Sequence, residues 1–348
     1  MGKLSQGWSR FGAGATLAAG ATLAGSGSAS AHVKWFCAFD VAGQPRGLEE
    51  VLCPDFEKLV GLSVGALVLG CVLEGTVIGT LLLRAFDRVT AGIRENAELL
   101  VRATLGFFFV ALWTTGGIIL TPELTTTSTL IPWLQLSFAA GLLWRRTLPY
   151  TAAGIVAMFA TALSQYGAFH LADYPIFLGV AAFLVLTSMG RDLFGLRPLD
   201  VVRWAAAITL MWASIEKWAY PQWTFPLLVQ NPQMAMGFDN EFFMRAAGVV
   251  EFTLAFALLW TPLVRRAAAA ILAGTFIAAV AQFGKIDAIG HSGIVVVLLV
   301  IMADNAVAER RRLLHPLMAP LGYAASLAVF LGIYYVAHAM MFGANYAA

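Results

Sequence analysis

Between residues 59 and 341 the chain is a succession of apolar runs, many of them near the ~20 residues a helix needs to cross a bilayer, separated by short loops that repeatedly carry arginine. This pattern rules out a soluble globular core. In lipid every backbone polar group must be bonded internally, so such runs fold as helices packed on one another. Composition agrees, with 59% hydrophobic residues, 12% charged residues and a mean hydropathy of +0.77. The formal net charge of +2 gives no basis for nucleic-acid binding, and the partner this chain requires is the lipid bilayer.

The first 31 residues have the basic start, Ala/Gly-rich middle and small-residue end of a secretory signal, with Ala29-Ser30-Ala31 as the cleavage site. Cleavage there makes His32 the first residue of the mature chain. Residues 32–58 form a polar segment with Pro, Gly and charge that cannot span a bilayer. It holds Cys37 and Cys53, which outside the cytoplasm read as a disulfide worth about 3 kcal/mol in the chain-entropy model, or as a redox-active or metal-binding pair. Cys71, inside the next apolar run, reads as a small buried residue.

A first span is predicted over 59–83, with Glu74 near its middle and pointing into the bundle. Two larger units follow at 100–190 and 201–306, each with four apolar segments, and a last span at 320–342 closes the chain. The fold class is therefore all-α, a polytopic membrane bundle of about ten mature helices. Residues 101–113 align with 202–212, and Ser164-Gln165-Tyr166-Gly167 aligns with Ala281-Gln282-Phe283-Gly284. Gln135 then takes the place of Glu251, and Tyr174 that of His291. Under strict alternation Arg84, Arg88, Arg94, Arg145, Arg146, Arg191, Arg197, Arg265, Arg266 and Arg310 to Arg312 share one side. Positive charge marks the cytoplasmic side, which places both mature termini in the periplasm of a bacterial inner (cytoplasmic) membrane.

Ionisable residues within apolar runs are costly and are normally paired and interior. The second unit carries Glu216, Lys217, Glu251 and His291 in such positions. Its Arg-led first helix ending in Glu216-Lys217, Glu251 within VVEFTLAFALLW, the pair Arg265-Arg266 and a last helix opening with Gly290-His291 together resemble the DoxX family of small four-helix membrane proteins. The resemblance implies a four-helix fold for the second unit, and the alignment above makes 100–190 a degenerate copy of it, so the expected architecture is two tandem four-helix units flanked by one helix on each side. It also implies a redox association, since family members have been tied to thiosulfate-to-quinone electron transfer and to redox maturation.

Two chemistries fit these residues at the periplasmic face. One is copper handling, with His32 offering its amine and ring nitrogen, and His291, His170 or His338 completing a nitrogen site. The other is quinone-linked chemistry, with Glu251, Lys217 and Glu216 as the catalytic, proton-carrying groups and Trp212 and Trp218 lining a pocket for the cofactor. Partner membrane or periplasmic redox proteins would complete either one. A third reading is a non-catalytic scaffold subunit of a membrane complex.

Overall fold

The computed structural model describes residues 33–306 and 318–343. The signal segment 1–31, His32 and Arg310 to Arg312 lie outside the described residues. The chain is helical almost throughout. We number its principal helices α1 (Pro54–Glu74), α2 (Val77–Val89), α3 (Ala97–Thr115), α4 (Leu130–Gly141), α5 (Leu148–Tyr166), α6 (Pro175–Met189), α7 (Pro198–Ala219), α8 (Asn240–Ala257), α9 (Pro262–Phe283), α10 (Lys285–Ala303) and α11 (Met318–Phe342). Six helical stretches are long and apolar enough to cross a membrane, namely Pro54–Glu74, Ala97–Thr115, Arg145–Tyr166, Pro262–Phe283, Lys285–Ala303 and Met318–Phe342.

Helices α3 to α10 pack in sequence, each on the next, and α10 returns to α3, which closes a ring of eight. Outside it α1 lies on α8 and α9, and α11 lies on α1 and α7. Local signals set the boundaries. Proline opens α1, α6, α7 and α9, where the missing N–H costs nothing, and Asp239 caps α8 by accepting from the Phe242 N–H. Gly284, at φ +74°, breaks the chain sharply between α9 and α10.

Three sequence expectations need correction here. The apolar run 59–83 is not one span, because Thr76 accepts from the Gly79 N–H and starts the new helix α2. Glu74 thus ends α1 instead of sitting mid-span, and its carboxylate accepts from the Leu263 N–H at the start of α9. Asp87, near the other end of α2, pairs with Arg266 one turn further along α9, so α2 lies across that end of the bundle. It leaves Val77, Ile78, Leu81 and Val89 exposed, as an interfacial amphipathic helix does. Next, the first helix of the 100–190 unit stops at Thr115, although the apolar run continues beyond it. A small antiparallel hairpin follows, β1 (Ile118–Ile119) with β2 (Thr121–Thr125), within an otherwise helical fold. The hairpin is held by Gln135, which donates to Ile118 O (2.8 Å) and accepts from Leu120 N (3.3 Å).

The third correction concerns the cysteines. Cys37 and Cys53 are both free. Cys37 packs against the cluster of Leu227, Leu228 and Met234, whereas Cys53 caps α1 and packs on the main core. Polar tethers do the work expected of the disulfide. Arg46 donates its backbone N–H to Ala219 O (2.9 Å) and pairs through its guanidinium with Glu241. Tyr335 OH donates to Arg46 O (2.7 Å), and Tyr220 OH donates to Gly43 O (2.8 Å). Segment 33–47 is sewn by these bonds over one end of the ring.

Candidate functional site

The strap does more than cover the bundle, because its first turn, Val33–Trp35, enters it. Lys34 is buried with its ammonium between Asp173 and Glu216, the latter at 2.6 Å. Burial pulls the Lys34 pKa down, but Asp173 and Glu216, with Glu123 behind them, raise it by more, and the net shift is upward from the ordinary lysine range. Trp35 follows, its ring 4.6 Å from the His291 imidazole, and rests on Gly290. A Cβ at position 290 would meet the indole at 2.0 Å, so only glycine admits this approach.

Glu216 and Lys217 are neighbours on α7 and therefore project about 100° apart around it. Glu216 turns to Lys34. Lys217 turns to Glu251 on α8, with Nζ 2.8 Å from its carboxylate. On α10, Asp287 and His291 stand one turn apart and pair at 3.0 Å. The sharp turn at Gly284 begins α10 early enough to carry both, where the sequence reading started that helix at 291. On the far side His170 pairs with Glu123 of β2 at 2.6 Å.

These groups meet at a cavity of about 90 Å³ inside the ring, between α3, α6, α7, α8, α9 and α10. Its polar wall is Asp173, Lys217, Glu251 and His291; its apolar walls include Trp35, Phe108, Tyr174, Phe177 and Phe276. The volume admits several waters, each needing at least about 10–15 Å³ by this measure. Asp173 Oδ1 and Asp287 Oδ1 are buried without a hydrogen-bond partner among the described residues. Buried acceptors of this kind are normally satisfied, so both call for a donor from water or a ligand.

Charge points the same way. Glu123, Asp173, Glu216, Glu251 and Asp287 face only Lys34, Lys217, His170 and His291 in this network. Even with both imidazoles protonated one negative charge is left over. A buried site cannot hold an excess of negative charge cheaply, so it favours an added donor from water or a ligand.

Of the sequence-predicted site residues, Lys217, Glu251 and His291 come together around this cavity, while Glu216 turns away from it to Lys34. Trp212 and Trp218 do not line it. Trp212 packs on Phe169 and Tyr334, while Trp218 lies between Phe56, which it meets edge-on, and Phe252, with its N–H given to Arg245 O. The histidines do not converge either. His170 is bound to Glu123, His291 to Asp287 and His338 to Gly43 O, and no group of three or more His, Cys, Asp or Glu side chains among the described residues could hold a metal ion. His32, the key residue of the copper reading, lies outside the described residues. Lys34, Trp35 and Glu123 went unrecognised in the sequence. A lysine inside the aromatic run VKWF was the available signal for the first two, and an isolated carboxylate in GGIILTPELT for the third.

No protein-family model matches the chain, and neither curated proteins nor solved structures give a match.

Proposed function

We propose that this chain is a membrane protein that binds a quinone-type molecule, a flat ring bearing carbonyl or hydroxyl oxygens, and exchanges protons with it. One observation carries the reading: a single ring-lined cavity presents Lys217–Glu251, Asp173 and His291 on one wall and aromatic side chains on the others. Aromatic faces suit a flat ring, and the paired groups suit its oxygens. Full reduction of a quinone takes two electrons and two protons. Glu251 and the Asp287–His291 pair are the groups that would pass the protons, through water in the cavity, and the electrons would come from a redox protein docked at the strap-covered end.

The arginine bias of the opposite end supports an orientation with the strap facing the periplasm of a bacterial inner membrane. The order of helix packing supports a tandem, DoxX-like duplication. In 100–190 the pairs α3–α4 and α5–α6 pack extensively, as α7–α8 and α9–α10 do in 201–306, and each unit's last helix rests on the other's first. Gln135 and Glu251 then occupy matching helices. The first bundle uses a neutral amide to hold its hairpin, and the second uses a carboxylate at the cavity.

The test is equilibrium binding of a tailless benzoquinone to the full chain in lipid nanodiscs, followed by quenching of tryptophan fluorescence, to which Trp35 contributes. Saturable binding that Glu251→Gln weakens about tenfold, roughly 1.4 kcal/mol, with unchanged thermal stability, is the expected result. Equal binding by both proteins would leave the Lys217–Glu251 pair with a structural role only.

A further inference from the structure

A second cavity opens beside the first. It is a groove of about 250 Å³ between α8 and α9, and the two share Glu251 and Phe276 in their walls. The polar end of one therefore abuts the apolar end of the other. Besides Glu251, the groove is lined by residues such as Ala247, Val250, Leu254 and Ile271, and apart from Glu251 its only polar lining side chain is Thr275. Val250 and Ile271 are more than half exposed, at 52% and 53%. Both stand near the middle of their helices, at the depth of lipid tails. Helices α8 and α9 also touch less extensively than α7 with α8 or α9 with α10. The ring is thus loosely packed at the place where Glu251 lines both spaces.

We propose that this groove receives the apolar tail of the molecule whose head occupies the cavity, so that the substrate is a tailed, membrane-borne quinone entering sideways between α8 and α9. The inference rests on the proposed function for the head and adds the tail and the route. Polarity decides it. A water-soluble ligand would gain nothing from an apolar slot open at mid-span, whereas an alkyl or isoprenoid tail passes from lipid into the slot without crossing a polar boundary, with its head delivered to Glu251. Along α8 the slot runs from Phe242 to Leu254, twelve residues or about 18 Å at helical rise, which accommodates an extended tail lying along the helix.

The experiment compares a tailless benzoquinone with one carrying a ten-carbon tail that ends in a photoreactive diazirine, each bound to the full chain in nanodiscs. Ala247→Trp fills the slot without touching the cavity, and Val250→Trp does the same from an exposed position, should the first variant assemble poorly. The expected result is an affinity for the tailed compound lowered about tenfold by either variant, with tailless binding unchanged. Illumination of the wild type should place the label on α8 and α9 between residues 242 and 276. Equal losses for both compounds, no loss for either, or labelling of other lipid-facing helices would overturn the groove assignment while leaving the head site standing. Absence of saturable binding by either benzoquinone would instead overturn the proposed function, and the groove inference with it.

Discussion

Both ends of this bundle bury charge, but they do so in opposite ways. At the end away from the strap, Arg197, Arg203 and Arg265 surround Asp200 and Asp304, and Arg266 reaches Asp87. Cations dominate, and much of their work is capping. Arg266 donates to Met302 O, and Arg265 to Asp304 O and Ala306 O, so two buried guanidiniums satisfy carbonyls at the C-terminus of α10, where the helix dipole favours positive charge. At the strap end carboxyls dominate, Asp173 Oδ1 and Asp287 Oδ1 lack a hydrogen-bond partner among the described residues, and a cavity adjoins them. The first arrangement is a clamp whose guanidiniums pair with carboxylates and cap helix carbonyls, although Arg203 Nε and Nη1 and Arg265 Nε are left without a hydrogen-bond partner among the described residues. The second sets its unfilled acceptors beside a cavity, where water or a ligand can reach them. Neither intramembrane charge nor an unfilled polar atom is diagnostic by itself; the excess of carboxyls next to a cavity is what sets the strap end apart.

The largest effect should come from Lys34. Replacing it with Met leaves Asp173 and Glu216 buried against each other, and loss of one partner from a buried pair costs about 3–5 kcal/mol, read as a lowered unfolding midpoint in detergent or lipid. Adding Glu216→Gln should recover a good part of the loss, since it removes the stranded charge. The pH dependence has a definite sign. Because the Lys34 pKa is raised in the folded chain, its contribution is fully present below the unfolded value of about 10.4 and fades only as pH climbs through the higher folded value. The stability gap between wild type and Lys34→Met should therefore be flat from about pH 6 to about pH 9 as far as Lys34 is concerned. A gap that closes on going from neutral to mildly alkaline pH would mean that Lys34 is not held between the two carboxylates.

At the clamp, Arg266→Leu removes bonds to Met302 O, Asp87 and Thr90. A loss of about 2–3 kcal/mol is expected, in the range for hydrogen bonds to charged groups. The protein that still folds should bind benzoquinone with wild-type affinity. Glu251→Gln should show the converse, with weakened binding and preserved stability. If Arg266→Leu lowers affinity as much as Glu251→Gln does, the contrast between clamp and site collapses.

These two ends were not equally legible in the sequence. The helical segments could be read because apolar runs of bilayer length have few other ways to fold, and Lys217–Glu251 because charges in such runs need partners. Lys34 could not, since Asp173 and Glu216 lie 139 and 182 residues away and nothing local announces the contact. The hairpin at 118–125 was hidden because GGIILT continues the apolar character of α3, and only the successive positive-φ residues Gly116, Gly117 and Leu120 turn it aside. Arg265 and Arg266 looked like loop charges that report topology, yet they are buried at 2% and 1% exposure because the end of α10 needs capping. The disulfide reading failed for a related reason. Two cysteines in one extracytoplasmic segment suggested a staple, but hydrogen bonds from the Arg46 N–H and the Tyr220 and Tyr335 hydroxyls already hold that segment in place.

That failure yields the smallest predicted effect. If the strap is held by polar tethers, Cys37→Ser and Cys53→Ser, singly or together, should change stability by no more than about 0.5 kcal/mol, as substitutions away from buried networks usually do. Reducing agent should leave the unfolding midpoint of the wild type unmoved. The thiols should also titrate with maleimide in the folded protein, and Cys37 should react slowly at neutral pH, because burial pushes its thiol above the usual range, only partly offset by its bond to the Leu227 backbone, and the thiolate is the reactive form. Its labelling rate should rise as the pH is raised toward 9. A midpoint that falls on reduction, or two thiols that label only after reduction, would show that the strap is covalently closed, and the polar tethers would then be the consequence of its placement instead of the cause.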